Sequence, residues 1–343
     1  MRCYQIRIVK THGRKFLMQE NHKGFIQSIQ FLRGFAALAV VLCHYGSSLV
    51  GYKNLSKVLN YGQYGVHVFF FVSGYVICLA LIKNNYHPKY FFNFLLKRSI
   101  RIDPAYLTTI ILTLLSFWLF TAIPSFKGNS IPFIPAQFLA HVFYIVPFTN
   151  FGFYNHVFWT LCVEFQFYIL IGSLYFLNTN LYYRICFLML FSVTPFIPFA
   201  NSGYLVTTYS PIFAIGIATM HYHLTKEKKY LIPIVFSAVS IFLNFNIGIL
   251  LLIVGVAIFV SFIKKISKIF DFLGTISYSL YIIHPLVLIY LLGIYKKLSI
   301  PKNLELLTLT SQLLIAIICA YIFYILIEKP SITLSKKIAY KNK

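Results

Sequence analysis

Two ionisable residues occupy an apolar run that is long enough to enter a membrane. FLRGFAALAVVLCHY, residues 31–45, carries Arg33 near its start and His44 near its end. An arginine at the centre of a membrane helix costs about 2.5–3.5 kcal/mol on insertion scales, so such a residue asks for a function. Eleven residues of helix turn the chain so that the two side chains lie about 20° apart around the axis and about 16 Å apart along it. They share one face, and Gly34, Ala36 and Ala37 between them permit close helix packing. Taken alone, the pair reads equally as a snorkelling arginine plus a hydrogen-bonded core histidine.

A second intramembrane charge shifts that balance. In NHVFWTLCVEFQFYIL, Glu164 lies about two turns into a span entering from the outside, while His44 lies about two turns from the outer end of its own. The two reach similar depth. A carboxylate there should be protonated or paired, and a histidine is its natural partner. The carboxylate would fix the imidazole tautomer and stabilise the imidazolium as the ring accepts a proton. The chemistry implied is general-base activation of a substrate hydroxyl, with no protein nucleophile required.

KRSIRIDPAY supplies the third element. Arg98 and Arg101 stand one helical turn apart in an amphipathic stretch expected to lie at the cytosolic headgroups. Paired guanidinium groups suit bidentate phosphate binding, and with Arg33 at the same face they form a cationic mouth for a phosphate-bearing donor. Ser73 in FVSGY reads as a packing or kink site and, alternatively, as a nucleophile. His284 precedes Pro285, which frees a backbone carbonyl; satisfying that kink and contacting an acceptor are equally open to it. Glu328, beside Lys329, reads as a structural ion pair with the basic mouth.

These residues need a membrane scaffold, and composition supplies one. The chain of 343 residues is 59% hydrophobic and 11% charged, with mean hydropathy +0.77, outside the range of a soluble domain. The expected fold class is all-α, a polytopic membrane helix bundle. Ten apolar stretches have roughly the required length: 31–50, 64–83, 104–123, 157–177, 183–199, 204–222, 230–243, 246–263, 274–294 and 306–327. The seventh and eighth are separated only by NFN. Half of the 30 lysines and arginines collect in the connections expected inside, 84–103, 178–182, 223–229, 264–273 and the tail from Glu328, so the positive-inside rule predicts an N-in/C-in topology. Residues 1–24 form a basic cytosolic tail, 25–330 the membrane domain and 331–343 a second basic tail. Residues 124–156, interrupted by four prolines, are expected as a re-entrant or interfacial cap over the outer mouth.

The formal charge of +23 is explained by lipid headgroups and orientation, and no nucleic-acid motif accompanies it. The six cysteines are scattered without metal-ligand spacing and read as small core fillers, so no metal is expected. The 19% aromatic share suits interfacial belts and could also offer stacking surfaces to a sugar.

From about Gln30 to Pro330 the chain resembles the acyltransferase 3 family of membrane enzymes, which transfer acyl groups, commonly acetyl, to hydroxyls of cell-surface carbohydrates. The resemblance rests on FLRGFAALAVVLCHY with Arg-x10-His at Arg33 and His44, on GVHVFFFVSGYV with Ser73-Gly74, and on RSIRIDPAY with Arg98 and Arg101. FWTLCVEFQFY with Trp159 and Glu164, ISYSLYIIHPLV with Tyr278, Tyr281 and His284, and the closing EKP complete it in order. The family implies His44 as catalytic base with Arg33 as its partner, and Arg98 and Arg101 holding the phosphates of acyl-CoA, acetyl-CoA in the first instance. Trp159, Tyr278, His284 and Ser73 then become candidates for contact with a glycan or lipid-linked saccharide acceptor. The expected location is the cell inner membrane, among lipids and without nucleic acid, with oligomeric state left open. The alternative function is a transporter of a lipid-linked sugar or proton-coupled solute in which Arg33, His44 and Glu164 relay protons.

Overall fold

The computed structural model describes residues 12–47, 49–121, 132–178, 180–263, 267–297 and 301–339. Among them the secondary structure is helical throughout, without strands. The helices are α1 (His12–Gly46), α2 (Lys53–Asn60), α3 (Gly65–Lys83), α4 (Phe91–Thr121), α5 (Pro135–Val142), α6 (Trp159–Ser173), α7 (Leu181–Ser192), α8 (Val206–Thr225), α9 (Leu231–Asn244), α10 (Ile247–Phe262), α11 (Lys268–Thr275), α12 (Ser277–Lys297), α13 (Glu305–Phe323) and α14 (Lys329–Lys336). A single π-helical turn, Tyr324–Glu328, joins α13 to α14.

Each of the ten apolar stretches contains a helix, but among the described residues only six segments are both long and apolar enough to cross a membrane. They are Gln27–Gly46, Lys53–Lys83, Pro88–Phe120, His156–Ser173, Ser277–Tyr295 and Glu305–Lys336. The expectation of ten is therefore not met by this measure. Helices α7, α9 and α10 have 12, 14 and 16 residues, or about 18–24 Å at 1.5 Å per residue, short of a hydrocarbon core of about 30 Å. Asn246 resolves the uncertain NFN boundary: its side-chain oxygen accepts the Ile249 N–H and starts α10 as an N-cap.

The core is built where α3 meets α1, α6 and α8. Helix α3 is apolar on every side and buries Phe70, Phe71, Tyr75, Cys78 and Leu81, as expected of a helix surrounded by others. Its contact with α8 is backbone on backbone. A Cβ at Gly74 would lie 2.3 Å from the Phe213 carbonyl oxygen, and one at Gly216 would lie 2.2 Å from that of Phe71. Glycine is needed on both sides because nothing larger fits. Gly74→Ala is expected to lower stability by about 1–3 kcal/mol through overpacking, read as a lower thermal midpoint of the detergent-solubilised protein. An unchanged midpoint would mean that the two helices can separate freely.

Prolines inside helices are compensated locally. Pro211 removes a donor from α8, and the freed Thr207 carbonyl accepts from the hydroxyls of Thr194 and Ser210 at 2.9 and 2.8 Å.

Candidate active site

A cavity of about 390 Å³ runs between α1, α3, α4, α6 and α12. Its wall on α3 extends from Val66 to Lys83, eighteen residues whose ends lie about 26 Å apart along the helix. This is most of a bilayer's hydrocarbon thickness. Gln30, Arg33, Lys83, Arg98, Arg101 and Glu328 line it together with Ser73, Glu164 and Tyr278.

The structure gathers the three arginines of the sequence motifs. Arg98 and Arg101 belong to an unbroken α4, about 10 and 15 Å from Phe91. Arg98 is buried, with its guanidinium over the rings of Phe94 and Tyr168 at 5.5 and 5.7 Å and its Nε without a hydrogen-bond partner. Such stacking orients the planar fork while leaving donors for another ligand. Arg101 lies within electrostatic reach of Arg33, Arg98 and Glu328.

Arg33 is carried here by the contact of α1 with α11, where Gly274 packs so closely that a Cβ would meet the Gln30 carbonyl oxygen at 2.2 Å. Glu328, at the end of the π-helical turn, accepts from the Ser279 N–H at 3.1 Å and the Ser279 hydroxyl at 2.5 Å. It also feels Arg33 and Arg101. Four basic and two acidic side chains thus line the cavity, a surplus of positive charge in a low-dielectric setting that favours an anionic ligand.

Glu164 does not pair with His44. Its Oε1 accepts from the Ser73 hydroxyl at 2.8 Å and the Tyr168 hydroxyl at 2.5 Å, and among the described residues no hydrogen bond or ion pair joins it to His44. Equal depth along two helices does not make two residues neighbours; α3 presents Ser73 to the Glu164 side of α6. The donor from Tyr168 sits four residues on in the same helix, a spacing legible in the sequence but not used.

His44 meets a different partner. Its ring stands edge-on to that of His284, with centroids 5.0 Å apart and planes at 86°. His284 is fully buried. Its Nδ1–H donates to the Tyr281 carbonyl at 2.8 Å, the carbonyl that Pro285 deprives of its helical donor. The kink is thereby satisfied and the tautomer set: Nε2 keeps its lone pair and has no hydrogen-bond partner. Tyr281 lines the cavity on one side and lies 6.0 Å from the His284 ring on the other. Its hydroxyl is within 2.8 Å of that of Thr160. The cavity and the two histidines are therefore neighbours separated by a tyrosine.

Of the remaining candidates, Tyr278 lines the cavity and donates to the Ile102 carbonyl at 3.0 Å. Trp159 does not line it; its ring packs with Phe70, Tyr204 and Tyr209. Lys83, Thr160 and Ser279 were not singled out from the sequence for this chemistry, and Tyr281 entered only as part of the family motif. Lys83 closes the apolar stretch 64–83 as a single basic residue, and hydroxyls in apolar helices carry no spacing signal. Among the described residues no group of three or more His, Cys, Asp or Glu could hold a metal.

The proline-rich segment reaches into the bundle. Residues 122–131 of it lie outside the described residues. Beyond them Tyr144, at φ +58°, donates from its hydroxyl to Asp103 Oδ1 at 2.8 Å, about 18 Å along α4 from Phe91. The Tyr144 ring stacks on Tyr106 and Phe165 at 5.0 and 4.4 Å. Asp103 is thus bound by Tyr144 and lies outside the cavity lining that holds Arg101. Tyr144→Phe would strip a half-buried carboxyl of a donor, and a stability loss of about 1–3 kcal/mol is expected. Thermal unfolding of the variant checks it, and an unshifted midpoint would show that water replaces the phenol.

No curated protein and no solved structure gives a significant match to this sequence. A family model does: the acyltransferase domain of acyltransferase 3 matches residues 26–325, a stretch that takes in every cavity-lining residue except Glu328. The chain belongs to the acyltransferase 3 family of membrane acyltransferases.

Proposed function

We propose that this protein is an integral-membrane O-acyltransferase of the cell inner membrane, N-in and C-in, moving an acyl group from cytosolic acyl-CoA to a hydroxyl of a surface polysaccharide or lipid-linked glycan. Acetyl is the proposed acyl group. The observation that carries this reading is the elongated cavity that unites Arg33, Arg98 and Arg101 and continues along α3 toward Thr160 and Tyr281. Arginine forks recognise phosphate oxygens, so the three guanidinium groups and Lys83 would take the nucleotide phosphates at one end. The thioester arm would lie along α3. A volume near 390 Å³ suits a small ligand or the narrow arm of a larger one.

His44 is the proposed general base toward the acceptor hydroxyl. Its half-buried imidazole makes no hydrogen bond among the described residues, which leaves a nitrogen for a substrate proton. His284, with its tautomer set, is the proposed second contact for the acceptor. Trp159 and Tyr278 are proposed to face the sugar and the thioester arm, respectively.

Labelled acetyl-CoA supplied to inside-out vesicles tests the reading. Acyl transfer to a glycan fraction, absent in His44→Ala, is the expected result. Solute uptake without thioester consumption would overturn it in favour of a carrier.

A further inference from the structure

Hydroxyls inside the helices of this protein commonly bond back to the carbonyl four residues earlier, as Thr109, Thr113, Ser192 and Ser261 do. Ser73 departs from that habit. Its Oγ crosses from α3 to α6 and donates to Glu164 Oε1 at 2.8 Å, and both residues line the cavity that holds the arginines. Ser279 makes a similar bond to Glu328, but it is fully buried and lines no part of the cavity. The adjacent Gly74 accounts for the close α3–α8 contact, so packing explains the glycine and leaves the serine unexplained. A hydroxyl within hydrogen-bond reach of a base that a third group orients, here the Tyr168 phenol at 2.5 Å, is the arrangement of an activated nucleophile.

We infer that Ser73 carries the acyl group between donor and acceptor, with Glu164 taking its proton; this rests on the acyl-CoA reading above. In the first half-reaction Ser73 Oγ attacks the thioester carbonyl and its proton passes to Glu164. The C–S bond breaks, and coenzyme A leaves as the thiolate past the cationic end of the cavity. In the second half the acceptor oxygen attacks the Ser73 ester and His44 takes the acceptor's proton. The ester C–O bond breaks, and Ser73 Oγ recovers its proton from Glu164. The net products are the acylated acceptor, the thiolate and the one proton released from His44, so atoms and charge balance. Kinetics are ping-pong, and the enzyme keeps a covalent acyl group while no acceptor is present.

The test is a single-turnover reaction of the purified full chain in proteoliposomes with ¹⁴C-acetyl-CoA and no acceptor, quenched in acid. Label retained on the protein, released by hydroxylamine and mapped to the peptide containing Ser73 is expected. Ser73→Ala should abolish the label, whereas Ser73→Cys, which keeps a nucleophile of similar size, should retain it as a thioester. Glu164→Gln should slow labelling by about 10²-fold or more. His44→Ala should reach the wild-type amplitude of label and then fail to pass it to an added glycan acceptor. Consumption of acetyl-CoA with transfer but no protein-bound acyl group would overturn the Ser73 step and leave the acyltransferase reading standing. So would label on another residue, or label persisting in Ser73→Ala. No consumption of acetyl-CoA by the wild-type protein would sink both.

Discussion

In His44→Ala, transfer of an acyl group to the acceptor is expected to fall by about 10²–10⁴-fold, the range supplied by a positioned general base. The expectation follows from the surroundings of the ring. Among the described residues no carboxylate bonds to His44; its neighbour is His284, edge-on at 5.0 Å, whose Nδ1–H is committed to the Tyr281 carbonyl. The loss should be in turnover with little change in KM for acyl-CoA, because His44 lies outside the cavity lining where the donor is proposed to dock. Steady-state transfer measured against both substrates checks it. Retention of more than about a tenth of wild-type turnover, well above what loss of a general base leaves, would remove His44 from the proton transfer.

Replacing Arg98 and Arg101 together with glutamine should act at the other end. Hydrogen bonds to charged groups contribute about 1.5–3 kcal/mol each, so the apparent KM for acyl-CoA is expected to rise about 10²-fold or more while kcat changes far less. Arg98 is the more exposing loss chemically: its stacked, buried guanidinium has an unpartnered Nε, and glutamine supplies neither the fork nor the charge. Raising salt should weaken donor binding in the wild type and have a smaller effect in the double variant. A fall in kcat at constant KM would place both residues at the reacting atoms rather than at the phosphates.

Several features of the site were readable along one helix at a time. Arg33 and His44, Arg98 and Arg101, and Glu164 and Tyr168 are related by helical periodicity, which depends only on rise and turn. The three arginines do come together. What could not be read was pairing between helices. Glu164 and His44 were matched by depth, but rotation about each helix axis sets the partner, and α6 turns Glu164 toward Ser73. Asp103 stands two residues from Arg101 in sequence; on the helix it bonds to Tyr144, forty-one residues away, through a segment whose irregular backbone gave no periodic signal. How many continuous spans the apolar stretches form was not legible for a related reason. A stretch of apolar residues tells how much lipid-compatible surface exists, while the helix caps and prolines decide how much of it forms one continuous rod, as Asn246 does at the start of α10.

Residue order alone determined that this is a helical membrane protein with charged groups embedded in apolar spans, because hydropathy and helical period are local properties. It also carried the family motifs. Only the packed bundle decided that Glu164 answers to a serine and a tyrosine, that His44 faces another histidine, and that three arginines share one elongated cavity. Those choices belong to the rotation and crossing of whole helices, set by close glycine contacts such as Gly74 on Phe213, and no spacing within a single helix encodes them.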